Sequence, residues 1–280
     1  MLARLAGRGA RQLSTSAGGV TVAVTGAGTA IGAATLKSIA AGEVFGSSTP
    51  VRIIAVGGDP AVASKLSESP LVKSATAAKE ISVPVDYAIL LDSSAQKIAD
   101  AGKAIAKSAP SAVVSVLGNT NALVAAAGAP KATVTAVTRH VQMDAEDQLA
   151  AKLGAKPKNV IAWGTGVADL SHATVDGDWA LDKIESALPA TSADVSAKAV
   201  VSHVKDLACG SDGQWASMGV PAVGDFGTGT GIFYSVPTVT FPGGSYKRVG
   251  GISLTADVAE AMEKSRLDLL AEKEKVKNFL

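Results

Sequence analysis

The chain carries a single cysteine, Cys209, among 280 residues. One cysteine excludes an intrachain disulfide and any multi-cysteine metal site, and the thiol is expected to act as a small buried hydrophobe. Aromatic residues make up 4% of the chain, too few for an aromatic-rich binding surface. Charge of one sign is also missing. The formal net charge is +1, and without Arg4, Arg8 and Arg11 the body carries 23 basic against 25 acidic residues. That balance gives no support to nucleic-acid binding. No apolar run approaches the length that spans a bilayer, so a transmembrane protein is not expected. There are three histidines, His140, His172 and His203. His140 and His203 have no arginines at motif spacing, and each of the three is expected to be structural or on the surface.

What is present is alanine, valine and glycine, with 47% hydrophobic residues. This composition suits close-packed helices on a buried sheet, and the length allows one large domain or two moderate ones. The first 17 residues form a separate object. They hold three arginines and several Ser or Thr, and the first carboxylate of the chain is Glu43. The segment reads as a mitochondrial transit peptide, with a disordered basic tail as the alternative. It implies a location in the mitochondrial matrix.

Val20-Thr21-Val22-Ala23-Val24 is a buried-strand run. It leads straight into Gly26-Ala27-Gly28-Thr29-Ala30-Ile31-Gly32 and then into helical sequence from Ala33 to Ala41. Strand, glycine turn and helix open a dinucleotide-binding βαβ unit. Further strands are predicted at 51–56, 86–91, 112–117 and 133–137, with a helix over 94–108 between the third and fourth. This alternation predicts an open parallel sheet with right-handed crossovers. Beyond it come a helix over 143–153, a strand at 160–163 and a long helix over 192–209. A hairpin turning at Pro242-Gly243-Gly244 follows. Last comes a helix capped by Thr255, with Val258, Met262, Leu269 and Val276 along one face.

Thr138-Arg139-His140-Val141-Gln142-Met143-Asp144-Ala145 and Trp163-Gly164-Thr165-Gly166 resemble two landmarks of the cytosolic-type malate dehydrogenases, T-R-L-D-H-N-R-A and W-G-N-H. Three other stretches match the same family in the same order. They are Leu117-Gly118-Asn119-Thr120-Asn121-Ala122, Asp212-Gly213-Gln214-Trp215-Ala216-Ser217-Met218-Gly219-Val220 and Ile232-Phe233-Tyr234-Ser235-Val236-Pro237. The resemblance implies a Rossmann-like doubly wound parallel sheet over 18–137. An α+β lactate/malate dehydrogenase C-terminal domain would follow over 138–280. It also implies NAD as cofactor and a homodimer, whereas an inactive relative would serve as a subunit of a larger mitochondrial complex.

The same resemblance marks what is missing. The family's catalytic Asp, substrate-clamping Arg and catalytic His fall at Val141, Asp144 and Gly166. Hydride transfer from a 2-hydroxyacid needs a base for the hydroxyl proton and cations for the carboxylates. Asp144 reverses the clamp's charge, and Glu146 and Asp147 add to it. Leu91-Asp92-Ser93-Ser94-Ala95 runs directly into a helix where the family has a mobile arginine-bearing loop. Asn119 alone keeps a family match among the anchoring groups. For a cofactor the candidates are Gly26, Gly28, Gly32, Asp59 and Asn119. Gly57 stands where the family's ribose-binding acid belongs, and Asp59 serves only if the strand end shifts. A glycine turn kept for helix–strand packing is the competing reading. Three functions follow: an inactive structural or accessory subunit, an oxidoreductase of altered substrate using His172 with Asp169, or a non-catalytic NAD sensor.

Overall fold

Short β-branched runs such as Val20–Thr25 cannot stay in water, and the chain buries them as the centre of one large sheet. The computed structural model describes residues 19–180 and 196–280. The proposed transit segment and the start of the expected 192–209 helix lie outside the described residues. The elements run β1 (Val20–Thr25), α1 (Ala30–Ala40), β2 (Val51–Val56), α2 (Pro60–Leu66), β3 (Val72–Ala78), β4 (Tyr87–Leu90), α3 (Ala95–Ser108), β5 (Val113–Leu117), α4 (Asn119–Gly128), β6 (Thr133–Val137) and α5 (Arg139–Leu153). Then come β7 (Ile161–Trp163), β8 (Val167–Asp169), β9 (Thr174–Val175), β10 (Asp178–Trp179), α6 (Ala197–Cys209), β11 (Ala216–Val223), β12 (Thr230–Phe241), β13 (Ser245–Arg248) and α7 (Ala256–Val276).

The main sheet has nine strands in the order β13-β12-β11-β6-β5-β4-β1-β2-β3. Its β3-β2-β1-β4-β5-β6 part is all parallel. Chain order reverses between β1 and β4, the place where open α/β sheets leave a crevice at the carboxyl ends of their strands. This is the doubly wound arrangement expected from the sequence. β11 extends the sheet antiparallel to β6 through Gly219 and Ala136, and β12 and β13 follow as an antiparallel meander. The second half of the chain therefore adds to the first half's sheet.

Burial follows the strands. Val22, Val24, Ile53 and Ile89 pack with α1's Leu36 and Ile39 and α6's Val200, Val204 and Leu207 on one face. Ala23, Ala88, Leu90 and Val114 pack with Ile98 and Ile105 of α3 on the other. Thr29 caps α1 by accepting from the amide of Gly32, and Thr255 caps α7 by accepting from Val258. Met262 and Leu269 of α7 are buried as its stripe predicts. Cys209 corrects its expectation. It is exposed at the end of α6, its Sγ 3.7 Å from the carbonyl of Val44, and partial burial pushes its thiol pKa up. A raised pKa leaves little thiolate at neutral pH.

Candidate functional site

The crevice at the β1/β4 reversal is a real cavity of about 410 Å³. Its walls come from the carboxyl ends of four strands and from α3, and include Thr25, Gly26, Gly28, Gly57, Lys79 and Asp92. Two glycines make the turn possible. Gly26 has φ +65° against the main chain of Leu91, and a Cβ on Gly28 would lie 2.9 Å from the carbonyl oxygen of Gly57. Gly32 lies one turn into α1, where a Cβ would stand 2.2 Å from the Gly26 carbonyl oxygen. It therefore fixes helix against strand and does not face the cavity. At the helix start the amides of Thr29, Gly32 and Ala33 are taken by Gly26 O, Thr29 Oγ1 and Thr29 O. Those of Ala30 and Ile31 are left to a ligand or to water, in the field of a helix N-terminus.

Of the five cofactor candidates, the structure brings Gly26 and Gly28 to this cavity, with Gly32 supporting them from behind. Asp59 goes elsewhere. Its Oδ1 accepts from Ala61 N at 2.8 Å as the cap of α2, so its carboxylate is spent on a helix end. Asn119 opens α4 and is buried. Its Nδ2 donates to Gly164 O at 3.0 Å, and its Oδ1 is buried without a hydrogen-bond partner among the described residues. Asn119 is thus joined to the Trp163–Gly166 segment.

That segment is the tight turn of a small hairpin. β7 pairs with β8 through Trp163 and Val167, and Gly166 N bonds back to Trp163 O. The C-terminal helix seals it. Ser265 Oγ accepts from Thr165 N at 2.8 Å and lies 3.0 Å from Thr165 Oγ1. Tyr234, which donates to Met262 O, closes the same side. A Cβ on Gly166 would lie 3.5 Å from Val141 Cγ2, so α5 and the turn face each other with room for about a methyl group between them.

Comparison with known proteins decides what this scaffold is. Residues 185–280 match the family model described as the lactate/malate dehydrogenase, alpha/beta C-terminal domain. The fold is similar to malate dehydrogenase from Naegleria fowleri (TM-score 0.81, 26% identity, covering 93% of this chain and 98% of that one). It is also similar to Trichomonas vaginalis lactate dehydrogenase in complex with NADH and oxamate (TM-score 0.81, 23% identity, 93% and 98% covered). At longer range, malate dehydrogenase from Aeropyrum pernix matches with TM-score 0.72 and 15% identity over 91% of this chain and 98% of that one.

The chain has the fold of the lactate/malate dehydrogenases, and its C-terminal third matches their family model.

Against that family's pattern, the juxtaposition of Val141 and Gly166 stands where the sequence resemblance places a catalytic Asp and His. Two positions that would hold a hydrogen-bonded acid and imidazole are close, but an isopropyl group faces a bare backbone. Asp144, at the clamping position, accepts from Gln148 Nε2 on its own helix at 3.2 Å. Arg139 turns the other way. Its Nη1 donates to Ser202 O at 3.0 Å and Ser202 Oγ at 2.8 Å and pairs with Asp206, tying α5 to α6. Burial pushes the Asp206 carboxyl pKa up despite the arginine, and burial also raises that of Glu146, which accepts from Gln142. β4 reaches α3 through Leu91 to Ser94 alone, so the arginine-bearing loop has no counterpart there.

His172 and His203 are both engaged with hydroxyl side chains. His172 and Asp169 make no direct bond. Ser171 Oγ stands between them, donating to Asp169 Oδ1 at 2.6 Å and lying 2.9 Å from His172 Nδ1. Asp169 is itself a structural acceptor, taking Trp163 Nε1 at 2.9 Å and Ser171 N at 2.9 Å. Neither the Ser171 bridge nor Ser265 at the turn was legible beforehand; Ser265 sits one hundred residues from its partner.

His203 is fully buried on α6 with Nε2 2.9 Å from Thr135 Oγ1, and desolvation drives its pKa down to about 3. The unfolded chain has an ordinary histidine pKa, so between about pH 6.5 and 3 it binds a proton that the folded protein refuses. This group's contribution to stability therefore falls as pH drops, by up to about 1.4 kcal/mol per pH unit. The raised carboxyls of Glu146 and Asp206 act in the opposite sense. Urea unfolding at pH 7 and pH 5 should show wild type losing about 2 kcal/mol more than His203→Gln, which keeps a partner for Thr135. Equal losses would mean that His203 is protonated in the fold.

Proposed function

We propose that this protein is a non-catalytic member of its family, a dehydrogenase scaffold serving as a structural or accessory subunit of a larger assembly in the mitochondrial matrix. The observation that carries this reading is the juxtaposition of Val141 with Gly166, two positions a methyl's width apart that carry neither acid nor imidazole. A proton acceptor and its orienting carboxylate are both absent from the place where the hydride donor's hydroxyl must lose its proton. The reversed charge at Asp144 and the direct β4–α3 connection remove the cations that would hold a dicarboxylate. The arginine-rich first 17 residues support the location.

A second reading has its own support: a nucleotide sensor that binds without turnover. The cavity at the glycine turn keeps room for a pyrophosphate beside the start of α1. A similar fold is seen in Trichomonas vaginalis lactate dehydrogenase in complex with NADH and oxamate. A dinucleotide bound here would rest its phosphates on the Gly26–Ile31 turn, and the group would bring hydride chemistry with no residue beside it to manage the proton.

Purified full-length protein should oxidise malate or reduce oxaloacetate no faster than a protein-free control. On native gels of mitochondria it should run well above dimer mass. Turnover at an ordinary enzymatic rate that is lost in His172→Ala would overturn the non-catalytic reading. Migration at the mass of a dimer would overturn the accessory-subunit reading.

A further inference from the structure

In a doubly wound sheet the end of the second strand decides what a dinucleotide's adenosine ribose meets. An acid there accepts from the 2′-hydroxyl, while a neutral residue with a cation nearby accommodates a 2′-phosphate. Here the acid is absent twice over. Gly57 ends β2 with φ +72° and open space within 4 Å of where a Cβ would stand. Asp59, the nearest carboxylate in sequence, is held as the α2 cap. The neighbouring strand supplies the opposite charge. Val56 pairs with Ala78 across β2 and β3, and Gly57 N donates to Ala78 O at 3.0 Å. That register sets Lys79 directly beside Gly57, and both line the cavity.

The other charged groups of the cavity are placed differently. Asp92 pairs with Lys97 at 3.4 Å, and Asp100 accepts from Gln96 Nε2 at 2.9 Å, both on the α3 side. Glu80, the next residue after Lys79, also lines the cavity, and among the described lining residues its carboxylate is the one acid on the β3 side. Among the described residues no ion pair takes up Lys79.

We infer that the cleft discriminates at the adenosine 2′ position, taking a dinucleotide that carries a 2′-phosphate in preference to one with a free 2′-hydroxyl, with Lys79 as the discriminating residue. The space left by Gly57 admits the phosphate, and Lys79 meets it as a point charge. This rests on the nucleotide-binding reading above and goes beyond it by naming the ligand class.

Calorimetry on the full chain at low salt, with NADP⁺ and NAD⁺ titrated separately, tests it. NADP⁺ should bind about tenfold tighter, roughly 1.4 kcal/mol, and the ratio should shrink as salt screens the contact. Lys79→Ala should bring NADP⁺ to the affinity of NAD⁺ and leave NAD⁺ unchanged, while Lys79→Arg should keep the preference. Equal or tighter binding of NAD⁺, or an unchanged ratio in Lys79→Ala, overturns the inference and leaves nucleotide binding standing. Failure of both dinucleotides to bind at millimolar concentration overturns the sensor reading and this inference with it.

Discussion

Gly164→Ala should destabilise the protein by about 4 kcal/mol, more than any surface substitution, because two independent costs meet at one atom. The residue has φ +57°, where an alanine side chain crowds its own backbone for about 1–2 kcal/mol. Its Cβ would then lie 2.0 Å from Ser265 Oγ and 2.9 Å from Tyr234 Cζ. Neither neighbour is free to move. Ser265 is held by the amide of Thr165 and Tyr234 by the carbonyl of Met262. Relief means lifting α7 off the turn or breaking those bonds, an overpacking cost of about 1–3 kcal/mol. For a chain of this size the melting temperature should fall by roughly 10 °C. Adding Ser265→Ala should recover part of the loss, since it removes the nearest atom and leaves the backbone strain. A loss below about 1 kcal/mol would mean that α7 does not seat on this turn.

Arg139→Ala is the second large effect, expected at about 3 kcal/mol near neutral pH. The guanidinium satisfies the Ser202 carbonyl and hydroxyl and neutralises Asp206, and both charged side chains are largely shielded from water. Removing the cation strands a carboxylate whose burial already favours its protonated form. The sign with pH follows. The Asp206 pKa is raised in the fold, and without Arg139 it rises further. The penalty therefore shrinks as acid protonates the group and is largest above its folded pKa. Arg139→Met combined with Asp206→Leu should restore most of the stability, because two apolar chains of similar reach carry no uncompensated charge. Denaturant melts of the two variants at pH 5 and pH 8 separate these outcomes. A single variant that loses less than 1 kcal/mol at pH 8 would show the pair to be solvated.

Elements with a strong local signature were legible from residues alone, and those made by distant partners were not. β1, β2, β5 and β6 are compact β-branched runs, and the glycine turn after β1 marks the passage from strand to helix. β3 went unread because Val-Lys-Ser-Ala-Thr-Ala-Ala is an edge strand with mostly open faces and no large apolar residue beyond Val72. β11 was hidden because its motif contains Gly219 and Pro221 follows it directly, residues that argue against a strand. Its glycine is needed because a Cβ there would stand 2.1 Å from Asn119 Oδ1, a contact no local pattern encodes. α5 begins at Arg139, four residues before the expected start, without a side-chain cap to mark the place.

The site divides along the same line. The family motifs located Val141, Asp144 and Gly166 as substituted positions, and the structure sets Val141 opposite Gly166 with no acid or imidazole between them. Asp59 passed in sequence for a ribose contact because a capping carboxylate and a ligand-binding one look alike there. Lys79 was invisible, since its importance comes from cross-strand register with Gly57 and not from any neighbour in the chain.

The direct passage from β4 into α3 has a kinetic consequence. Enzymes that fold a flap over their substrate make release wait for that flap to open. Among the described residues no such cover reaches this crevice from its α3 side, so a nucleotide bound at the proposed site would stay wetted along one flank and depart at a pace set by its own contacts. Occupancy would then track the surrounding nucleotide pool from moment to moment, a property suited to reporting on supply and ill suited to sheltering a reactive intermediate.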